Sequence, residues 1–262
     1  MKTLLKAFIT VSILCAGNAF GQEFKSNVKN IKKIEIGQLS GEVTITGTSG
    51  SELIIKADGL SELPERAKGL KPLSAGGTDN TNLGLNVAEA ANIISISGAT
   101  KQSSEASYTF MVPEGIAVKL DYTSPFTSSD VQVKDFKNEI EISTMNGGIN
   151  CENVSGPLIF DVINGDITIM FSAVNQSSPM SVKSINGEVD LTLPSGAKAD
   201  FDLSSLQGDI YTDLDILVDK KENENGEARF LGGMNSIKGK LNGGGVKVTV
   251  SSINGNLYLR KK

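Results

Sequence analysis

From Val28 onward, apolar and polar positions alternate with a period of two, and the alternation breaks at glycines that recur in one setting. The glycines are Gly41, Gly147, Gly165, Gly187, Gly208 and Gly255. Five residues before them stand Ile36, Ile142, Phe160, Val182, Leu203 and Val250, and two before stand Leu39, Met145, Ile163, Ile185, Leu206 and Ile253. Directly before come Ser40, Asn146, Asn164, Asn186, Gln207 and Asn254; directly after come Glu42, Gly148, Asp166, Glu188, Asp209 and Asn256. Two after stand Val43, Ile149, Ile167, Val189, Ile210 and Leu257. Asparagine tolerates the left-handed backbone region and glycine enters it freely, so the pair predicts a tight turn between two half-buried strands. From Gly147 to Gly208 the successive spacings are 18, 22 and 21 residues. Self-similarity at a near-constant period predicts stacked coils, because no single repeat can bury its apolar face alone. The expected fold class is all-β, a single-domain β-solenoid with coils of about 20 residues and Asn-Gly turns.

A second corner type supports this reading. Val112-Pro113-Glu114-Gly115, leading into Val118 and Leu120, parallels Leu193-Pro194-Ser195-Gly196, leading into Ala199 and Phe201. Proline cannot donate to a sheet ladder and belongs at a strand end. The Asn-Gly corner expected after Leu120 is replaced by Ser124-Pro125-Phe126-Thr127. Residues 57–86 interrupt the pattern. Leu60, Leu63, Leu70 and Leu73 with Pro64 and Pro72 predict an irregular insertion, and Gly76-Gly77-Thr78-Asp79-Asn80 reads as a mobile loop. Residues 219–227 read as a charged, solvated loop. The tail Arg260-Lys261-Lys262 places like charges on the last strand, where they would discourage end-to-end association.

The start of the chain changes its expected address. Lys2 and Lys6 precede a short apolar run, Ala7 to Ala16, and small residues at Ala19 and Gly21 fit signal-peptidase cleavage before Gln22. Residues 1–21 are therefore expected to be a signal peptide and residues 22–262 the domain. The run is too short to span a membrane. Export would leave the protein periplasmic, at the cell surface or extracellular. Without Lys2 and Lys6, 23 basic residues face 30 acidic ones, a net charge of −7. That balance, without basic clusters, argues against nucleic acid as a partner and makes the protein a poor candidate for anionic membrane surfaces. Cys15 would leave with the leader, so Cys151 can form no intrachain disulfide. It aligns with Ile45, Ile169, Leu191 and Leu259 and reads as a buried small hydrophobe.

The repeated hydrophobic-Asn-Gly-acid-hydrophobic turn, Val112–Gly115 and the glycine-rich run Gly239 to Gly245 into a final Asn-Gly coil resemble the putative adhesin domain family of secreted bacterial proteins. The resemblance spans about residues 28–260. It implies a β-solenoid exported to the cell envelope and carries over no functional residues.

Candidate chemistry is sparse. The chain has no histidine, which removes Ser-His-Asp and Cys-His devices and the usual zinc sets. Four tyrosines and no tryptophan leave little for sugar stacking. Paired carboxylates Asp200/Asp202 and Glu139/Glu141 alternate onto one strand face, as acids of a polysaccharide-cleaving β-helix could, or as a solvated face. Asp166, Glu188 and Asp209 would form a column about 5 Å apart if sequential coils stack in register, open to Ca²⁺ or simply exposed. The asparagines read structurally, as an amide ladder joining coil to coil. No catalytic, cofactor or metal residue is assigned. The expected function is non-catalytic binding or scaffolding toward a surface polysaccharide or protein partner; the alternative is a carbohydrate-acting β-helix enzyme.

Overall fold

A computed structural model describes residues 22–61, 64–67, 69–70, 77–100, 103, 106–125, 129–219 and 235–262. The expected leader, residues 1–21, lies outside them, as do Leu63, Pro72, Leu73 and positions 220–227 of the expected charged loop. In chain order the strands are β1 (Gln22–Asn27), β2 (Lys33–Gly37), β3 (Val43–Thr48), β4 (Glu52–Asp58), β5 (Leu85–Ala90), β6 (Ile93–Gly98) and β7 (Ser107–Pro113). There follow β8 (Ala117–Tyr122), β9 (Val131–Lys134), β10 (Ile140–Asn146), β11 (Ile149–Val154), β12 (Leu158–Asn164), β13 (Ile167–Phe171) and β14 (Met180–Asn186). The last are β15 (Val189–Leu193), β16 (Ala199–Ser205), β17 (Ile210–Thr212), β18 (Ile216–Val218), β19 (Asn235–Leu241), β20 (Val246–Ser252) and β21 (Leu257–Lys261).

Each coil contributes one strand to each of two sheets. One sheet runs β1-β4-β7-β3-β9-β11-β13-β15-β21-β17; the other runs β18-β19-β16-β20-β14-β12-β10-β8-β2-β6-β5. Neighbouring coils pair in parallel, with antiparallel strands only toward the ends. Asn-Gly corners carry the chain from the second sheet to the first, as between β12 and β13. Pro-x-Gly corners carry it back, as between β15 and β16. The protein is a β-solenoid.

The coils do not stack in chain order. In space the order is β6/β7, β2/β3, β8/β9, β10/β11, β12/β13, β14/β15, β20/β21, β16/β17. The last coil of the sequence is thus inserted between β14/β15 and β16/β17. This corrects two expectations. Sequential register fails at the first coil, where β2/β3 lies between β6/β7 and β8/β9, and again beyond β15, and the basic tail does not guard a free edge, because β21 lies between β15 and β17. Among the described residues the edge strand there is the three-residue β17. A very short edge strand offers little template for further pairing.

One core holds the inward residues of both sheets. Across the second sheet the column is Ile96, Ile36, Leu120, Ile142, Phe160, Val182, Val250 and Leu203, every one buried. Across the first it is Tyr108, Val43, Val131, Ile149, Ile167, Val189, Leu257 and Ile210. Ile167 and Val189 are fully buried; Ile210, in the end coil, is only half-buried, and Leu257 separates it from Val189. Each buried side chain contributes about 1.5–3 kcal/mol. Cys151 sits between Val133 and Ile169, and burial pushes its thiol well above the usual range. It is a core residue.

The described part of residues 77–86 is not a free loop. The Asp79 carboxylate accepts hydrogen bonds from the N–H groups of Thr81, Asn82 and Gly84 and from the Thr81 hydroxyl, all at 2.9–3.0 Å. Tyr108 Oη donates to the Leu83 carbonyl at 2.7 Å, tying the segment to the core. A turn closed by one carboxylate looks polar and glycine-rich in sequence, which is why it reads as a loop.

Candidate functional site

The Asn-Gly corners line up along one side of the stack and form a ridge. Its foundation is glycine. A Cβ on Gly187 would lie 2.0 Å from the Gly165 carbonyl oxygen, on Gly255 2.0 Å from that of Gly187, and on Gly208 2.2 Å from that of Gly255. Of these corner glycines only Gly147 and Gly165 have positive φ. Close coil-to-coil approach, more than left-handed geometry, is what they share.

Beside the glycines runs the amide ladder. Asn164 Nδ2 donates to Asn146 Oδ1 at 3.0 Å, Asn186 to Asn164 at 2.8 Å and Asn254 to Asn186 at 2.6 Å. Asn146 in turn reaches the Pro125 carbonyl at 3.2 Å, where the Asn-Gly corner is missing. The ladder expected from sequence is present, and the inserted last coil continues it.

Sequence reasoning missed a second ladder, three residues before each glycine. Ser184, Ser252 and Ser205 are buried, and their hydroxyls donate across to the carbonyls of Gly165, Gly187 and Gly255 at 2.8–3.1 Å. Val162 holds the same position and cannot donate. The Gly147 carbonyl receives its bond instead from Thr144 of its own coil, at 2.8 Å. The recurrence of small hydroxyl residues at this offset was the available signal.

At five of the six corners the residue two before the glycine points outward. Ile163, Ile185, Ile253 and Leu206 are each about 40% exposed, with Met145 half-buried at one end. They form a continuous apolar stripe next to the amides. On the other flank stands the acidic position, in spatial order Glu42, Asp130, Gly148, Asp166, Glu188, Asn256 and Asp209. Asp166, Glu188 and Asp209 therefore do not stack directly, since Asn256 separates the last two. Several have a structural task. Asp130 Oδ1 accepts from the Gly148 N–H at 2.7 Å, Asp166 Oδ1 from the Glu188 N–H at 2.8 Å and Asn256 Oδ1 from the Asp209 N–H at 2.9 Å. Each satisfies a backbone donor where the ladder opens at the corner. Among the described residues no three potential ligand side chains gather as a metal would require.

The paired acids lie elsewhere, on the outer face of the second sheet. Asp202 makes ion pairs with Lys238 at 3.4 Å and Lys247 at 3.5 Å, and Asp200 accepts from the Gly245 N–H at 3.2 Å. They border an open hollow of about 190 Å³. Glu141 pairs with Lys119 at 2.6 Å, which holds the lysine above its ordinary pKa, while Glu139 stands exposed before β10. Lysine neighbours are the arrangement of a solvated, charge-balanced face.

Comparison with known proteins follows this geometry. The family model described as Toastrack DUF4097 matches residues 23–260. A putative cell adhesion protein from Clostridium sporogenes is 12% identical over 93% of this chain and 100% of its own, with a TM-score of 0.46. A putative adhesin from Bacteroides fragilis is 14% identical over 94% of this chain and 98% of its own, with a TM-score of 0.38. No protein with a curated description matches.

Proposed function

Because the chain belongs to the Toastrack DUF4097 family, we propose that it is a non-catalytic, adhesin-like binding module that acts at the cell envelope after export, with residues 22–262 as one domain behind a 21-residue leader. The observation that carries this reading is the corner ridge. An apolar stripe, an amide ladder and an acidic flank repeat at single-strand spacing over consecutive coils. Similar weak contacts presented in line suit a long or multivalent surface partner, because each bound coil raises the effective concentration of the next contact. The one-domain reading is supported by the inserted last coil, which ties the end of the chain into the stack.

The test replaces the stripe and leaves the core alone. Ile163→Ser, Ile185→Ser and Ile253→Ser together should keep the urea midpoint within the range of ordinary surface changes. Adsorption of the purified protein to isolated envelope fractions should fall at least about tenfold, since several contacts are lost at once. Unchanged adsorption by a folded triple variant would overturn the ridge as the contact surface. Recovery of a mature protein that still begins at Met1 would overturn export.

A further inference from the structure

The outer face of the first sheet carries an aromatic pair beside the acidic flank of the ridge. Of the four tyrosines, Tyr108 and Tyr122 are buried, whereas Tyr211 and Tyr258 stand side by side on β17 and β21. Their rings stack with centroids 5.5 Å apart and planes inclined by 14°. Tyr211 is 50% exposed, and among the described residues no further strand pairs with β17 on the far side of that ring. Both phenols are held in place. Tyr211 Oη donates to Asp209 Oδ2 at 3.2 Å and Tyr258 Oη to Glu188 Oε1 at 3.2 Å. Arg260 closes the other side: its Nε donates to both Asp190 oxygens at 3.0 and 2.9 Å, and its guanidinium carbon lies 5.2 Å from the Tyr258 ring centre. Among the described residues, the Arg260 Nη groups donate no other hydrogen bond.

We propose that this cluster is a binding site for a neutral glycan, with one pyranose ring seated on Tyr211. The proposal rests on reading the chain as a binding module, and it names a site and ligand class for it. A sugar ring presents an apolar C–H face and a rim of hydroxyls. The free face of Tyr211 takes the first, and the Asp209 carboxylate beside its hydroxyl accepts from the second. Among the described residues three acids stand around the two rings against one arginine, which disfavours uronic or sulfated polymers. Rings fixed by their own hydroxyls lose little freedom on binding, which lowers the cost of association. The site is invisible in sequence because the two tyrosines become neighbours only through the inserted last coil.

The experiment titrates the protein with cellohexaose, chitohexaose and maltohexaose, read by tyrosine fluorescence and saturation-transfer NMR. At least one should bind, with saturation transfer strongest on ring C–H protons. Tyr211→Ala should weaken that binding at least about tenfold, and Tyr211→Phe, which keeps the ring, should retain most of it. An unchanged urea midpoint for Tyr211→Ala confirms that folding is not the cause. The Ile163/Ile185/Ile253→Ser variant should bind the sugar as the unchanged protein does. Absence of binding to all three sugars, or full binding by Tyr211→Ala, overturns the glycan site. So does binding of hexalysine in place of the sugars, which would make the cluster a cation surface. Unchanged envelope adsorption by the ridge variant with sugar binding intact is failure of the ridge reading alone, and loss of adsorption in that variant with no sugar bound by the unchanged protein is failure of the glycan site alone.

Discussion

The corners at Gly41 and Gly165 share their sequence pattern and present opposite faces. At Gly165 the preceding strand runs straight, Val162 is buried and Ile163 is exposed. At Gly41 the strand ends early, Gln38 adopts a left-handed conformation with φ 57°, and Leu39 is buried at 1% exposure. One left-handed residue shifts the alternation by one position and turns the shoulder inward. The neighbouring coil completes the difference. Tyr122, from the coil that lacks an Asn-Gly corner, donates to the carbonyls of Ser40 and Gly41 at 3.1 and 2.6 Å. The same motif thus closes the solenoid at one place and offers a contact surface at another.

The largest expected effect separates the two shoulders directly. Leu39→Ser should cost about 3–5 kcal/mol, since it empties a core position and buries a hydroxyl. Ile163→Ser should stay within about 0.5 kcal/mol. Urea denaturation of both variants checks this, and equal losses would erase the distinction drawn here.

Next come the glycines. Gly187→Ala, with its Cβ placed 2.0 Å from the Gly165 carbonyl, should lose about 1–3 kcal/mol by forcing two coils apart. Gly196→Ala, in the Pro-x-Gly corner with nothing within 4 Å, should be close to neutral. Comparable midpoints for the two would show that the corner glycines serve the turn and not the stack.

Tyr122→Phe should cost about 1 kcal/mol through its lost hydroxyl contacts. Burial first, then the nearby Glu42 charge, raises the Tyr122 phenol from 10.0 to about 12. Its neutral form is the one the fold accommodates, so its contribution is complete below pH 10 and is lost as pH climbs from 10 through 12. Denaturation followed across that window should fall less steeply for Tyr122→Phe, with the remaining slope coming from Tyr108 and Cys151, both of which burial also raises.

The smallest effect belongs to the ladder. Asn186→Ala removes one rung on each side, and because the amides are exposed the loss should be about 0.5–1 kcal/mol. Asn186→Asp should lose more, since it sets a carboxylate oxygen against Asn164 Oδ1, acceptor against acceptor, although it still accepts from Asn254. Stability of both variants equal to that of the unchanged protein would show that the ladder's hydrogen bonds contribute nothing measurable.

Sequence alone determined what depends on local repetition: a β-solenoid with two corner types, the buried columns through Ile142 and Ile167, Cys151 as core, and the amide ladder. Those follow from period, parity and turn chemistry, which neighbouring residues set by themselves. Tertiary structure decided the order of the coils. It placed β20/β21 ahead of β16/β17, put Asn256 between Glu188 and Asp209, took the basic tail off the edge and brought Tyr211 beside Tyr258. It also decided which shoulder faces water, through the backbone of Gln38. A repeat carries no address for its neighbour, because any coil of the same pattern offers the same edge to pair with. Stacking order is chosen only where connections, capping strands and close contacts are satisfied together.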